Sequence, residues 1–353
     1  MMAFVKKPFS EKDIKKEKIM TRREELRAEL ASTRRKVEEY TAKEREIRRE
    51  LTDLSNQPAR ESAEYRNYQL FLENLRRPVE DPLVVYQGEP GAFSEMAAID
   101  FFGDGVRTEG LYWFEDAFKA LKEGRADYAV LPIENSSTGA IRQVYDLLVN
   151  YECYFVGETT VEVSQNLVGL PGTDIGDITT VYSHEQGLFQ SERFLNDHPD
   201  WKRVPQADTA GSAKMVAELK DPHFAAICSK RAAEIYGLEI LAERINHNGR
   251  NTTHFVVISP RPEIRRGSDK VCVSLHTRHE AGSLHEVLSV FKFNRINMIK
   301  LESRPVIGHN WEYMFFIDFS ANLDDPDMDE VILQLVEATT DLRILGNFAS
   351  NMN

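Results

Sequence analysis

Residues 83–102 read LVVYQGEPGAFSEMAAIDFF. The run Leu83-Val84-Val85-Tyr86 is short, apolar and stopped by Gly88-Glu89-Pro90-Gly91, the pattern of a buried strand entering a tight turn. The span from Ser94 to Phe102 then reads as a helix, with Ser94 or a neighbour as its cap. The same alternation continues downstream. A helix over Phe114–Glu123 leads to a strand over Tyr128–Ile133, and Glu134-Asn135-Ser136 opens a helix near Ala140–Val149. Further strands fall near Tyr154–Val156, Thr179–Tyr182 and Ala225–Cys228. Alternating strands and helices predict an α/β fold with a largely parallel sheet.

On the C-terminal side, a polar linker at Arg261–Ser268 is followed by strand, helix, two strands, helix and strand. The spans are roughly 270–276, 283–293, 296–304, 312–319, 327–338 and 342–347, the order of a ferredoxin-like βαββαβ unit. On the N-terminal side, residues 10–56 read as one charged helix. Ile19, Leu26, Leu30, Val37, Tyr40, Ile47, Leu51 and Leu54 share the a and d positions of one heptad frame, interrupted at Thr33 and Glu44. So narrow a stripe requires a partner helix. Ser55-Asn56-Gln57-Pro58 predicts a break, Tyr65 to Leu75 a second helix, and Pro78 and Pro82 a boundary. The resulting division is a helical region at 1–80, an α/β domain at 81–262 and a smaller α/β unit at 268–353.

The chain has 353 residues, 42% of them hydrophobic, and a net charge of −13. That charge argues against a nucleic-acid partner and requires local donors to hold any anionic substrate. No apolar run approaches the roughly 20 residues of a membrane span. Cys153, Cys228 and Cys272 are scattered, odd in number and free of C-x-x-C spacing, so neither a disulfide framework nor a metal site is expected, and the cytoplasm is the expected location.

In α/β sheets, ligands gather where strand ends run into helix N-termini. Five polar clusters occupy such places: Gly91-Ala92-Phe93-Ser94-Glu95, Pro132-Ile133-Glu134-Asn135-Ser136, Ser183-His184-Glu185-Gln186, Asp208-Thr209-Ala210 and Asn251-Thr252-Thr253-His254-Phe255. Their hydroxyls, amides and free backbone N–H groups suit carboxylates. Taken singly, Ser94, Ser136 and Thr209 read as helix caps, Glu134 as a first-turn charge and His184 as a satisfied surface or core histidine.

In this order and spacing, the five clusters resemble those of prephenate dehydratases over about residues 83–260. The Tyr236-Gly237-Leu238 segment after Lys230-Arg231-Ala232-Ala233 is similar too. The resemblance implies a two-lobed fold like that of periplasmic binding proteins, and a cofactor-free reaction. Prephenate loses carbon dioxide and its ring hydroxyl together to give phenylpyruvate, the precursor of phenylalanine. It also implies that Thr253 is the hydroxyl donor to the leaving oxygen, with Ser94, Glu134, Asn135, Ser136, Ser183, Gln186, Thr209, His254 and Phe255 binding the substrate. Two positions depart from the family pattern. His254 stands where Arg is usual; either Arg250, Lys230 or Arg231 compensates, or binding is weaker and substrate affinity falls from about pH 6 to 8. Gln165 stands where histidine is frequent.

Residues 269–348 resemble an ACT domain. Its phenylalanine site is implied at Gly282, Ser283, Leu284 and Asn297 and at Glu302-Ser303-Arg304-Pro305, across a dimer interface. Residues 10–77 resemble a degenerate chorismate mutase domain, but Ala31, Arg34, Glu44 and Ser55 occupy positions where that activity needs other groups, so a mutase-like remnant or a dimerising coiled coil is expected. The implied protein is a phenylalanine-regulated lyase forming a homodimer or homotetramer. Arogenate dehydration and non-catalytic sensing remain as alternatives.

Overall fold

The computed structural model describes residues 11–249, 251–305 and 313–351. The side chains of Ile19, Leu51 and Leu54, and the whole of Arg250, lie outside the described part. Helix α1 spans Glu11–Arg60 and α2 spans Ala63–Glu73. The helix runs through the expected break at Ser55–Pro58 to Arg60, since a proline can kink a helix rather than end it. The chain turns instead at Glu61 and Ser62, where the Ser62 hydroxyl accepts from Tyr65 N and starts α2. Leu26, Leu30, Val37, Tyr40 and Ile47 are all exposed along α1.

The first lobe comprises β1 (Leu83–Gln87), α3 (Phe93–Phe102), β2 (Arg107–Leu111), α4 (Phe114–Lys122), β3 (Tyr128–Asn135), β4 (Gly139–Ala140), α5 (Arg142–Asn150) and β5 (Tyr154–Glu162). The chain then crosses to a second lobe. This holds β6 (Asn166–Gly169), β7 (Thr180–His184), α6 (Glu185–Gln190), α7 (Glu192–Asn196), β8 (Lys202–Gln206), α8 (Thr209–Leu219), β9 (Phe224–Cys228), α9 (Lys230–Tyr236) and β10 (Glu239–Ala242). It returns as β11 (Thr252–Ser259), which lies antiparallel between β3 and β5. The sheets are therefore mixed rather than largely parallel, since a strand coming back from the other lobe enters reversed. Ala92, without a side-chain hydrogen bond, takes the N-cap of α3 in place of Ser94.

The last unit is β12 (Lys270–His276), α10 (Ser283–Phe293), β13 (Met298–Pro305), β14 (Tyr313–Ser320), α11 (Met328–Ala338) and β15 (Asp341–Phe348), the expected βαββαβ order. Its sheet continues that of the first lobe, in the order β13-β14-β12-β15-β5-β11-β3-β1-β2. At the seam, a Cβ on Gly346 would lie 2.1 Å from the Phe155 carbonyl oxygen, so only glycine lets the two backbones approach. Charge is buried beside it. The Lys270 Nζ on β12 is 2.7 Å from Glu158 on β5 and 3.2 Å from Asp318 on β14. Helix α2 closes the other face, with Tyr65, Tyr68 and Phe71 in one core with Val290, Ile317, Ile332 and Ile344. The Tyr65 hydroxyl donates to Asp329 at 2.6 Å.

Candidate active site

Two crossing segments join the lobes, and their backbones pair: Val163 N donates to Asn251 O, and Ile245 N to Gln165 O. Between the lobes lies a cleft of about 440 Å³. Across it the lobes touch through Gly91, whose backbone N donates to Glu95 and whose carbonyl accepts from the Ser229 hydroxyl at 2.6 Å. Gly91 has φ +92°, and a Cβ there would lie 2.5 Å from Ala232 Cα, so this contact demands glycine. Arg231 reaches back to Glu95 at 2.8 Å.

Of the expected residues, Ser94, Asn135, Gln186, Thr209, Thr253 and Phe255 line the cleft. Thr253 and Phe255 share one face of β11 by strand alternation. A bulge in β3 puts Asn135 opposite Thr253 and Pro132 opposite Phe255, so both also face the cleft. Asn135 Nδ2 donates to Thr253 Oγ1 at 2.8 Å and to Asn251 Oδ1 at 2.9 Å. Its own Oδ1 accepts from Ser137 N and Thr138 N, which fixes the orientation of the amide. With its oxygen occupied as an acceptor, the Thr253 hydroxyl has its proton free for a ligand.

Four expected residues are placed elsewhere. The His254 ring lies on the opposite face of β11, 2.9 Å from Glu158, in the buried charge cluster of the sheet seam. Its placement removes the physical basis for an affinity that falls between pH 6 and 8. Glu134 pairs with Lys300 of β13 at 2.5 Å. Ser183 is fully buried and donates to Ile227 O, and the Ser136 hydroxyl accepts from Thr252 N. The Ser183 hydroxyl is thus spent inside the scaffold, while Ser136 is exposed and does not line the cleft.

The cleft also contains Gln87, Tyr112, Trp113, Gln143, Gln165, His184, Gln190 and Asp208, none of them assigned from sequence. One signal was available: Gln190 follows Gln186 by four residues and so shares its face of α6. Among the described residues, no Lys or Arg lines the cleft. Carboxylates would be held instead by amide side chains and by the N-termini of α3 and α8, whose first residues reach the cleft. His184 Nδ1 accepts from Gln186 N, and Asp208 accepts from Gly211 N at 2.7 Å as the cap of α8. Burial pushes the Cys153 thiol up to about 11 and Cys228 to about 12, so neither is a ready nucleophile. The described residues hold no group of three metal-ligating side chains.

In the βαββαβ unit, Gly282 (φ +97°) precedes α10, and the Ser283 hydroxyl donates to Glu280 O at 2.7 Å, with Leu284 beside it. Asn297 lies in the turn before β13, and its carbonyl accepts from Ser320 N. Glu302, Ser303, Arg304 and Pro305 lie on the edge strand β13, at the same sheet end as Gly282 because β12 and β13 run parallel. Arg304 grips Asp146 of α5 with two bonds, at 2.5 and 3.2 Å.

A family profile described as prephenate dehydratase matches residues 84–263. The bifunctional chorismate mutase/prephenate dehydratase of Escherichia coli (strain K12) is 38% identical over 274 residues, covering 76% of this chain and 70% of that protein. The chloroplastic arogenate dehydratase 3 of Arabidopsis thaliana is 39% identical over 288 residues, covering 76% of this chain and 67% of that protein. Among solved structures, the prephenate dehydratase of Arthrobacter aurescens in complex with L-Phe superposes with a TM-score of 0.69 at 30% identity. That match covers 76% of this chain and 90% of the other.

Proposed function

This chain belongs to the prephenate dehydratase family, and we propose that it converts prephenate to phenylpyruvate with Thr253 as the donor to the leaving oxygen. The observation that carries this assignment is the Asn135–Thr253 hydrogen bond at the cleft, which leaves the Thr253 proton free for a ligand. As the carboxylate departs as carbon dioxide, its bonding electron pair enters the ring and the ring C–O bond breaks. Negative charge grows on the departing oxygen, where a fixed O–H donor stabilises the transition state more than the ground state. The Asn135 amide supports the Thr253 oxygen as its proton is given up. Neutral amides and helix N-termini hold the two carboxylates, with Ser94, Gln186 and Thr209 on the walls.

Purified protein should form phenylpyruvate from prephenate, and Thr253→Val should abolish most of that turnover while Thr253→Ser retains part of it. Equal activity in Thr253→Val would remove the assignment. The arogenate reading is kept by the identity to an arogenate dehydratase, and rates on both substrates decide it.

The βαββαβ unit serves as an ACT domain that binds phenylalanine at Gly282–Leu284, Asn297 and Glu302–Pro305. Support comes from the shared sheet end of Gly282 and Glu302–Pro305, which Asn297 at the other end of β13 does not share, and from the ion pairs of β13 with the first lobe. Calorimetry of phenylalanine with the full chain tests it; no heat of binding would refute it. The exposed stripe of α1 is assigned to pairing with a second copy in a homodimer or homotetramer, with sedimentation of Leu30→Glu as its test. A cytoplasmic location is proposed from the unpaired Cys153, Cys228 and Cys272; among the described residues no helix is long and apolar enough to cross a membrane.

A further inference from the structure

We propose that Gln165 contacts the substrate and helps set which substrate is taken, its Oε1 accepting a hydrogen bond from a donor on the bound molecule. The proposal rests on the dehydratase reading above. Gln165 lies on the first crossing between the lobes, with its backbone held on both sides. Its N donates to Asn246 Oδ1 at 3.2 Å, and its carbonyl accepts from Ile245 N at 2.9 Å. The side chain is 3% exposed and lines the cleft. Its Nε2 donates to Gln190 Oε1 of α6 at 3.3 Å, while its own Oε1 is buried without a hydrogen-bond partner.

A buried carbonyl oxygen left unpaired is costly, and a fold retains one where something else completes it. Only a donor can do so. The carboxylates of the substrate are acceptors, and so is the keto oxygen of prephenate. Two donors remain: the ring hydroxyl, common to prephenate and arogenate, and the ammonium that arogenate alone carries. In this arrangement Gln190 Oε1 takes the Nε2 of Gln165 and leaves its Oε1 for a ligand. The crossing position keeps the acceptor in place whichever way the lobes move.

The test compares full-length wild type, Gln165→Leu and Gln165→Glu on prephenate and on arogenate, with melting temperature measured alongside. Gln165→Leu removes the acceptor at nearly constant size. It should lower kcat/KM about tenfold or more on at least one substrate, while the melting temperature falls only by the loss of the single Nε2 bond to Gln190. Equal losses on both substrates assign the contact to the ring hydroxyl. A loss confined to arogenate assigns it to the ammonium, and Gln165→Glu, which keeps an acceptor, should then restore arogenate turnover relative to Gln165→Leu. If Gln165→Glu is as impaired as Gln165→Leu on arogenate, the residue serves only to hold Gln190 and the proposal is overturned. Gln165→Leu within twofold of wild type on both substrates overturns it too. Should wild type turn over neither substrate, the dehydratase reading fails, and calorimetric titration of prephenate and arogenate decides the contact separately. Weaker binding to Gln165→Leu then supports it; equal binding, or none to either protein, overturns it.

Discussion

Replacing Lys270 with methionine should cost about 3 kcal/mol of stability at neutral pH, and the cost should shrink in acid. Lys270 is 1% exposed, and its ammonium is shared between Glu158 and Asp318 at the seam between the first lobe and the C-terminal unit. Burial alone would push the Glu158 carboxyl up. The hydrogen bond from His254 and the charges of Lys270 and His254 outweigh it and hold the group down at about 2, against an ordinary 4.5. At about 1.36 kcal/mol per unit, that depression is worth about 3 kcal/mol for His254 and Lys270 together, and stripping one partner from a buried ion pair itself costs about 3–5 kcal/mol. A depressed carboxyl stabilises fully above its ordinary value and loses that contribution as pH falls through its folded value. Burial pulls Lys270 down, but Asp318 and Glu158 outweigh it and raise its pKa above 10.5, so its share is complete below 10.5 and lost above its folded value. The cluster therefore works fully between about pH 4.5 and 10.5. Urea unfolding of wild type and Lys270→Met at pH 7 and pH 3 reads both terms. The gap should be about 3 kcal/mol at pH 7 and about half that near pH 3. A gap under about 1 kcal/mol at pH 7, or one equal at both values, would show that the seam ion pairs do not supply this stability.

Gly346→Ala places a methyl group against the Phe155 carbonyl and should destabilise by about 1–3 kcal/mol, with hydrogen exchange accelerated at β5 and β15; unchanged exchange would mean the seam tolerates separation. Thr253→Val should lower kcat by about a hundredfold or more with little change in melting temperature, read by a coupled assay and a thermal scan. Substrate KM should stay flat from pH 6 to 8, because His254 faces Glu158 rather than the cleft; a steep rise across that range would show His254 acting on the ligand. Lys300→Ala frees Glu134, the neighbour of Asn135, and should change the phenylalanine concentration for half-maximal response at least threefold, measured by activity titration. An unaltered response would exclude this contact from coupling.

The alternation of strand and helix was legible from residues 83–102 onward because buried strands and amphipathic helices carry their periods in the chain. The βαββαβ order was legible for the same reason, and its boundaries fell within about two residues. What escaped depended on partners distant in sequence. The crossing between lobes reverses β11, so a parallel reading of the sheet failed. The inward turn of Asn135 follows from a bulge opposite His254/Phe255 that no local pattern marks. His254 looked like a substitute for a substrate-gripping arginine, yet alternation along β11 gives the cleft to Thr253 and Phe255 and sends His254 to Glu158. Gln87 and Gln143 line the cleft without standing in any motif, and Gln165 showed only as a departure from the family pattern, with its place on the crossing between lobes unmarked.

The most direct measurement is phenylpyruvate formation from prephenate by the full-length protein, with and without phenylalanine and beside Thr253→Val. Turnover that phenylalanine alters and that Thr253→Val abolishes is the expected result. Folded wild-type protein that produces no phenylpyruvate from prephenate, or a Thr253→Val variant as active as wild type, would contradict it.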